Sequence, residues 1–215
     1  MSHISFSELK NWNFCPFYHK LTYIDKLKGF LGNEYTAFGT AIHDVCEKQI
    51  LKEQFEAAEY FIEKFAKCLK DLDDSVEFRE NPEKMITQGT NIIPEIMPAV
   101  EDFFKDGYEV FSTEEQLMVP IDDMRKRADP MVTYQLTLYK IFFAKKHGIP
   151  LKNIETYFAL LKRTAKKNRV EIFRVTSGNK KMENATSLLN KALFNIQKKR
   201  YIKNRSACGK CEFRK

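Results

Sequence analysis

The stretch Phe38-Gly39-Thr40-Ala41-Ile42-His43-Asp44 opens the clearest helical pattern of this chain. Apolar residues recur close to the helical period from Ala41 to Ile50, which predicts a helix that begins near Thr36. His43 and Glu47 are four residues apart, so they would share one face of this helix. The small residues before His43 would let the helix start close to a sheet. The stretch therefore predicts a helix that carries an imidazole, a common metal ligand.

The rest of the chain alternates helical and strand-like patterns around this helix. In chain order we predict a first helix from Ser5 or Ser7 to Phe14, helices over Phe55–Leu72 and Pro82–Phe104, strands within Tyr108–Ile121, a helix over Pro130–Lys146, strands over Glu155–Leu161 and Arg169–Val175, and a basic helix over about Lys180–Lys203. This order predicts an α/β fold with a small sheet flanked by helices. We expect one domain over residues 1–215, with a helical annex at about 45–107.

The charge of the chain is basic, and the excess is concentrated in its last third. Lys and Arg number 36 against 29 Asp and Glu, a formal net charge of +7. A basic surface is suited to a nucleic-acid backbone, but a solvated face that keeps the protein soluble would have the same composition. The candidate contacts to nucleic acid are Lys162, Arg163, Lys166, Lys167 and Arg169.

Export and membrane insertion are not expected from this sequence. No apolar run reaches the ~18 residues that a membrane span needs, and Met1–Ile4 lacks the basic and apolar pattern of a signal peptide. A cytoplasmic protein without membrane contact follows as the expectation. Five cysteines, an odd number, then favour free thiols or metal ligands over a disulfide framework.

Three short motifs together resemble the RecB-like nucleases of the PD-(D/E)XK superfamily. They are Gly39-Thr40-Ala41-Ile42-His43, the pair Gln135-x-x-x-Tyr139, and Cys208-Gly209-Lys210-Cys211 near the end of the sequence. The resemblance implies a restriction-endonuclease-like fold, a small mixed sheet flanked by helices with a helical N-terminal part. It also implies a DNA exonuclease or endonuclease that uses Mg²⁺ or Mn²⁺. Such enzymes act on DNA ends or single strands in recombination, repair or phage DNA metabolism, with a helicase or recombination protein as partner.

Roles for single residues follow from the same resemblance. His43 would bind the divalent metal, and Glu115 would occupy the acidic position that leads into the nuclease core. Gln135 and Tyr139, one helical turn apart, would hold the phosphate or the catalytic water. The pair alone is also compatible with ordinary packing, in which the helix buries a stripe formed by Val132, Leu136, Tyr139 and Phe143.

The central carboxylates of such a nuclease lack convincing counterparts in the sequence. Asp122 and Asp123 could bind a metal, but they also fit a turn after the strand that contains Pro120. About a dozen residues lead from Pro120 to Pro130, where two strands and a hairpin would need roughly 25 to 35. Either the native protein has an internal segment that this sequence lacks, or the chain is an inactive, DNA-binding relative. We favour the first, because losing two core strands would expose a hydrophobic sheet.

The cysteines resemble those of the iron–sulfur subset, which includes AddB-type and CRISPR-associated exonucleases. By this resemblance, Cys15, Cys208 and Cys211 of this chain would supply three of the four ligands of a 4Fe-4S cluster and join the two ends of the domain. Zinc on the same residues, with His19 or solvent filling in, is the main competitor, and thiols without any metal remain an alternative. A helical interaction protein with a zinc-binding tail is a third interpretation of the chain. Cys46 and Cys68 are expected to be buried thiols.

Overall fold

The computed structural model of the protein describes residues 4–113 and 131–214. Its elements, in chain order, are α1 (Phe6–Phe14), α2 (Pro16–His19), α3 (Glu34–Ile50), α4 (Ala57–Lys70), α5 (Pro82–Phe103), α6 (Met131–His147), β1 (Thr156–Leu161), β2 (Val170–Val175) and α7 (Asn179–Gln197). A π-helical turn, Lys20–Ile24, follows α2, and 3-10 turns lie at Leu151–Asn153 and Arg205–Lys210. The predicted α/β class with a small sheet is confirmed. No helix within the described ranges has the length and apolarity that a membrane crossing requires.

The chain divides into two compact units. Unit 1 comprises Met1–Phe30, Gln116–Tyr157 and Arg174–Lys215, and unit 2 comprises Leu31–Glu115 and Phe158–Phe173. Helices α1, α2, α6 and α7 belong to unit 1, whereas α3, α4 and α5 belong to unit 2. The predicted helical annex at about 45–107 falls inside unit 2. One domain over residues 1–215 stays a prediction.

Capping residues mark the starts of α1 and α3. The Ser5 hydroxyl accepts the backbone N–H of Glu8 at 3.1 Å, so α1 begins where a serine can satisfy an unpaired amide. At the start of α3, the Asn33 side chain accepts the N–H of Thr36 at 2.9 Å, and the Thr36 hydroxyl accepts the N–H of Asn33 at 3.0 Å. This reciprocal pair starts α3 at Glu34, two residues before the predicted position. After α6, Gly148 adopts a positive φ of 65°, which ends that helix.

The core of unit 2 is an aromatic cluster between α3, α4 and α5. Phe61 and Phe65, one turn apart on α4, lie with nearly parallel rings at 5.8 Å, and Phe38 of α3 meets Phe61 edge-on at 5.3 Å. Gly89 of α5 faces Phe61 so closely that a Cβ atom there would lie 3.0 Å from Cδ1 and closer still to Cε1 and Cζ. The glycine therefore allows α5 to pack tightly on α4. Pro94 and Pro98 lie inside α5, which continues through both.

The core of unit 1 joins α1, α6 and α7. Leu9 of α1 and Tyr134 and Leu138 of α6 pack against three buried residues of α7: Ala185, Leu189 and Ala192. The predicted stripe on α6 was wrong, because Tyr139 is 42% exposed and Leu136 and Phe143 are only half-buried. The side chain of Val132 lies outside the described part. The apolar side chains of α6 itself are spread around the helix and not gathered on one face, so their period did not identify the buried face.

The sheet is an antiparallel hairpin of β1 and β2. The backbone N–H of Lys162 donates to the carbonyl of Arg169 at 2.7 Å, and in this register Phe158 faces Phe173 across the strands, with ring centroids 5.9 Å apart. The two predicted strands are confirmed. The mixed sheet is not, since the described ranges contain only this antiparallel pair. Residues 108–113, the described part of the predicted strands within Tyr108–Ile121, form no strand and pair with none. Residues 114–121 lie outside the described residues.

Candidate functional site

The exposed face of α3 carries His43. Ala41, Ile42 and Val45 are buried in the core of unit 2, which turns Gly39, Thr40 and His43 toward the opposite, exposed side. A Cβ atom at Gly39 would meet none of the described residues within 4 Å, so this surface is open around the glycine. The Thr40 hydroxyl donates to the carbonyl of Thr36 at 3.0 Å. The helix therefore carries an exposed imidazole one turn after a glycine whose surface no other described residue covers.

Two acidic residues, Asp44 and Glu47, follow His43 on α3, and both have partners within unit 2. Asp44 pairs with Lys64 and accepts the phenol O–H of Tyr60 at 3.0 Å; the hydrogen bond from Lys64 lowers the pKa of Asp44. Glu47 accepts the hydroxyl of Thr113 at 2.6 Å. Across residues 4–113 and 131–214, no group of three or more His, Cys, Asp and Glu side chains could hold a metal ion. Glu115, Asp122 and Asp123, the predicted acidic residues, lie outside the described residues.

The predicted pair on α6 forms within unit 1. The side-chain amide of Gln135 donates to the phenol oxygen of Tyr139 at 3.0 Å. Because that oxygen accepts the amide proton, the phenol O–H is oriented to donate elsewhere, for example to a phosphate or water oxygen. His43 belongs to unit 2 and this pair to unit 1, so their convergence on one metal stays a prediction.

Three cysteines of unit 1 line one pocket of about 130 Å³. Cys15 precedes α2 and is 7% exposed, whereas Cys208 and Cys211 come from the 3-10 turn at Arg205–Lys210 and its end and are more accessible. The remaining wall is mainly apolar and aromatic and includes Phe14, Phe17, Tyr18, Leu21, Ala207 and Phe213. Thiols are the donors that an iron–sulfur cluster or zinc uses, but these three are one short of the usual four, and the described structure does not bring them together as a group that could hold a metal ion.

His19, the predicted alternative zinc ligand, does not line this pocket. Its ring is fully buried, stacks on Tyr23 at 5.2 Å, and directs Nε2 to a carboxylate oxygen of Glu8 at 2.7 Å. The Nδ1 atom of His19 is buried without a hydrogen-bond partner among the described residues, so the interpretation in which His19 supplies a zinc ligand stays a prediction. No spacing rule links Glu8 to His19 across eleven residues, so the sequence did not reveal this pair.

The two predicted DNA-contacting arginines are engaged within unit 2. Arg163 binds Glu80 and Gln88, each at 2.6 Å, and lies over the Tyr35 ring at 5.0 Å. This guanidinium, helped by neighbouring donors, lowers the pKa of the Glu80 carboxyl to about 2. Arg169 pairs with Glu95 through its guanidinium and also through its backbone N–H at 2.8 Å.

The predicted lysines have more exposed positions. Lys166 and Lys167 lie exposed in the turn between β1 and β2, and Lys162 pairs with the exposed Glu171 at 2.5 Å. An ion pair at the surface contributes little and exchanges readily with other partners. The candidate phosphate contacts on this hairpin are therefore its lysines, because Arg163 and Arg169 hold the hairpin to α5 and its neighbouring residues.

Comparison with known proteins identifies the family. A family model described as the PD-(D/E)XK nuclease superfamily matches residues 3–122, more than half of the chain. The chain belongs to the PD-(D/E)XK nuclease superfamily. Nucleases of this superfamily usually use divalent metals such as Mg²⁺ or Mn²⁺, and their substrate is nucleic acid. No curated protein and no solved structure matches the chain.

The range that matches the nuclease superfamily covers only part of the candidate residues. It includes Cys15 and His43, so the exposed face of α3 lies inside the matched nuclease segment. It leaves out the Gln135–Tyr139 pair and the cysteine pair Cys208 and Cys211. The RecB-like subtype and the iron–sulfur cysteines therefore depend on the sequence motifs and on the pocket that the three thiols share.

Proposed function

We propose that this superfamily member is a RecB-like, metal-dependent DNA nuclease. In this proposal it acts in the cytoplasm on DNA ends or single strands, in recombination, repair or phage DNA metabolism, with a helicase or recombination protein as partner. The observation that supports it best is the position of His43 on the exposed face of α3, within the matched nuclease range. An imidazole at the surface of a helix, beside open space at Gly39, is accessible to a metal and to a phosphate backbone.

Each candidate residue has a stated role in the proposal. His43 binds Mg²⁺ or Mn²⁺, with Glu115, Asp122 and Asp123 as the candidate acidic residues. A bound metal of this kind polarises the scissile phosphate and makes hydroxide available near neutral pH. The Tyr139 phenol, oriented by Gln135, donates a hydrogen bond to a phosphate oxygen or to the attacking water. Lys162, Lys166 and Lys167 contact the DNA backbone through charge.

A second candidate is a DNA-binding relative that no longer cleaves. It is favoured by one observation: the sequence has no convincing counterpart of the metal-binding Asp and the Asp/Glu-x-Lys triplet of such nucleases. Such a protein would keep the basic hairpin and the α3 surface, and it would bind DNA without needing a divalent metal.

Nuclease assays on linear single-stranded and double-stranded DNA with Mg²⁺ or Mn²⁺ distinguish the two candidates. For the enzyme we expect metal-dependent cleavage that is lost in His43→Ala and kept in His147→Ala, a matched change at another helical histidine. DNA binding without cleavage in the unaltered protein would support the second candidate. Absence of both binding and cleavage would refute both.

We also propose that the cysteine pocket binds a metal, either a 4Fe-4S cluster or zinc. The support is the shared pocket of Cys15, Cys208 and Cys211, whose thiols are the donors that both groups use. Iron, sulfide and zinc analysis of protein purified without oxygen tests this. Iron with inorganic sulfide and a brown colour indicates a cluster, zinc in a colourless protein indicates the ion, and neither metal would contradict the proposal.

A further inference from the structure

The segment that follows α7, Lys198–Arg205, is strongly basic, and we call it the basic segment. The sequence from Asn184 to Cys211 contains no Asp or Glu. Five of the eight residues of the basic segment are cations, and all five are exposed: Lys198, Lys199, Arg200, Lys203 and Arg205. None of the five has an ion-pair partner among the described residues. In this they differ from Arg163 and Arg169 of the hairpin, which pair with carboxylates.

Contacts within unit 1 hold the basic segment in place. At its start, the N–H of Arg200 donates to a carbonyl of α7 at 2.8 Å. In its middle, the Tyr201 ring stacks on the buried ring of His19, with centroids 6.5 Å apart. Near its end, the Nδ2 atom of Asn204 donates to the carbonyl of Phe14 at 2.9 Å. The cations therefore stand on a fixed backbone, so little ordering of the segment is required when a ligand binds.

Exposed apolar side chains lie beside these cations. The Arg200 guanidinium lies over the Phe194 ring, 5.7 Å from its centroid, and this ring is 50% exposed. Ile202, within the basic segment, is 73% exposed. Closely spaced cations suit the repeated phosphates of a nucleic-acid strand, and an exposed aromatic ring can stack on an unpaired base. Since nucleases of this superfamily act on nucleic acid, an unpaired DNA strand is the polyanion that this surface fits best.

We propose that the basic segment binds an unpaired DNA strand, with its cations on successive phosphates and Phe194 stacked on a base. The inference rests on the proposed function in taking DNA as the ligand. It assigns to unit 1 a DNA contact in addition to the hairpin lysines, of which Lys162, Lys166 and Lys167 belong to unit 2. Contacts of this kind need no divalent metal, so binding can be measured apart from cleavage.

The first test is the salt dependence of DNA binding in the presence of EDTA. Fluorescence anisotropy with a labelled oligo-dT gives the association constant K of the full chain at several salt concentrations. The variant Lys198→Gln/Lys199→Gln/Arg200→Gln should lower the slope of log K against log salt by about 2, because each phosphate contact on a single strand contributes about 0.7. At about 0.1 M salt this corresponds to roughly a hundredfold weaker binding.

The control for this variant removes three exposed lysines that have carboxylate partners. It is Lys84→Gln/Lys105→Gln/Lys180→Gln, whose lysines pair with Glu80, Asp102 and Glu183. The control loses the same net charge, so a general effect of charge would weaken both variants equally. We expect its slope and affinity to stay close to those of the unaltered protein. Equal loss in the two triple variants would overturn the proposal.

A second pair of variants removes a cation without removing stability. Lys199 and Lys52 each stand two residues after the end of a helix, α7 and α3, with φ of 52° and 58°. Glycine adopts this left-handed conformation without strain, so Lys199→Gly and Lys52→Gly should both keep or raise the thermal denaturation midpoint. Only Lys199→Gly should weaken oligo-dT binding, by about fivefold at about 0.1 M salt. Weaker binding in both variants, or in neither, would contradict the assignment.

The stacking part is tested with Phe194→Ala, against Phe78→Ala at another exposed phenylalanine. Phe194→Ala should bind oligo-dT about tenfold more weakly with the salt slope unchanged, and Phe78→Ala should bind like the unaltered protein. Equal affinity of the unaltered protein for oligo-dT and for a duplex of the same length would overturn the proposal. So would binding to phosphatidylserine vesicles without binding to DNA. A protein that cleaves DNA while both triple variants bind alike would keep the proposed function and lose only this surface.

Discussion

Replacing Gly89 by alanine is expected to destabilise unit 2, although alanine is the better helix former. A methyl group at this position of α5 would overlap the Phe61 ring, with 3.0 Å to Cδ1 and shorter distances to the next two ring atoms. Phe61 has no exposed surface and is held between Phe65 at 5.8 Å and Phe38 at 5.3 Å. The ring therefore cannot move aside without disturbing the core.

The magnitude follows from two opposed effects. Alanine in place of glycine inside a helix contributes about 1 kcal/mol of stability. Overpacking a well-filled core costs about 1 to 3 kcal/mol, and the clash with a confined aromatic ring places Gly89→Ala at the upper end. The expected net result is a loss of about 2 kcal/mol in the free energy of unfolding.

Urea denaturation followed by far-ultraviolet circular dichroism measures this free energy. Gly39→Ala is the matched control, because it makes the same change inside α3 with nothing within 4 Å of the new methyl, and it should stabilise the protein by about 1 kcal/mol. Adding Phe61→Leu to Gly89→Ala should recover part of the loss by making room. Equal or greater stability in Gly89→Ala would refute the packing argument.

Three further predictions concern pH, thiol reactivity and capping. The folded pKa of Glu80, about 2, lies below its ordinary value of 4.5, so the stability from its pairing with Arg163 should be present above pH 4.5 and lost as the pH falls toward 2. In Glu80→Gln, the free energy of unfolding measured at several pH values should therefore fall less between pH 4.5 and 2 than in the unaltered protein. Burial raises the pKa of Cys46 to about 11, so iodoacetamide should modify it much more slowly than the exposed Cys208 near neutral pH, and peptide mass spectrometry showing equal rates would contradict this. Ser5→Ala should cost about 1 kcal/mol of unfolding free energy by removing the cap of α1, and no change in the denaturation midpoint would exclude that role.

Local features of the chain could be predicted from the sequence because they depend on residues a few positions apart. The cap at Ser5, the helix that carries His43, the two strands of the hairpin and the helix that places Gln135 one turn before Tyr139 all have this origin. Backbone hydrogen-bonding needs and the periods of helix and strand are short-range constraints, so a pattern of residues is enough to indicate them. The nuclease family was also indicated by short motifs, and the match over residues 3–122 confirms the superfamily.

Other features were decided only when distant parts of the chain came together. Arg163 looked like a DNA contact by charge, but Glu80 and Gln88, 83 and 75 positions away, bind it inside unit 2. The buried face of α6 was mispredicted because the apolar side chains of that helix point in all directions. Packing against α1 and α7 determines that Tyr134 and Leu138 are the ones buried. No motif marks the hydrogen bond from the Asn204 backbone N–H to the Sγ atom of Cys15, because it joins residues 189 positions apart. Sequence patterns record local periodicity, whereas the partner of a charge, an apolar face or a sulfur atom is chosen by the tertiary fold.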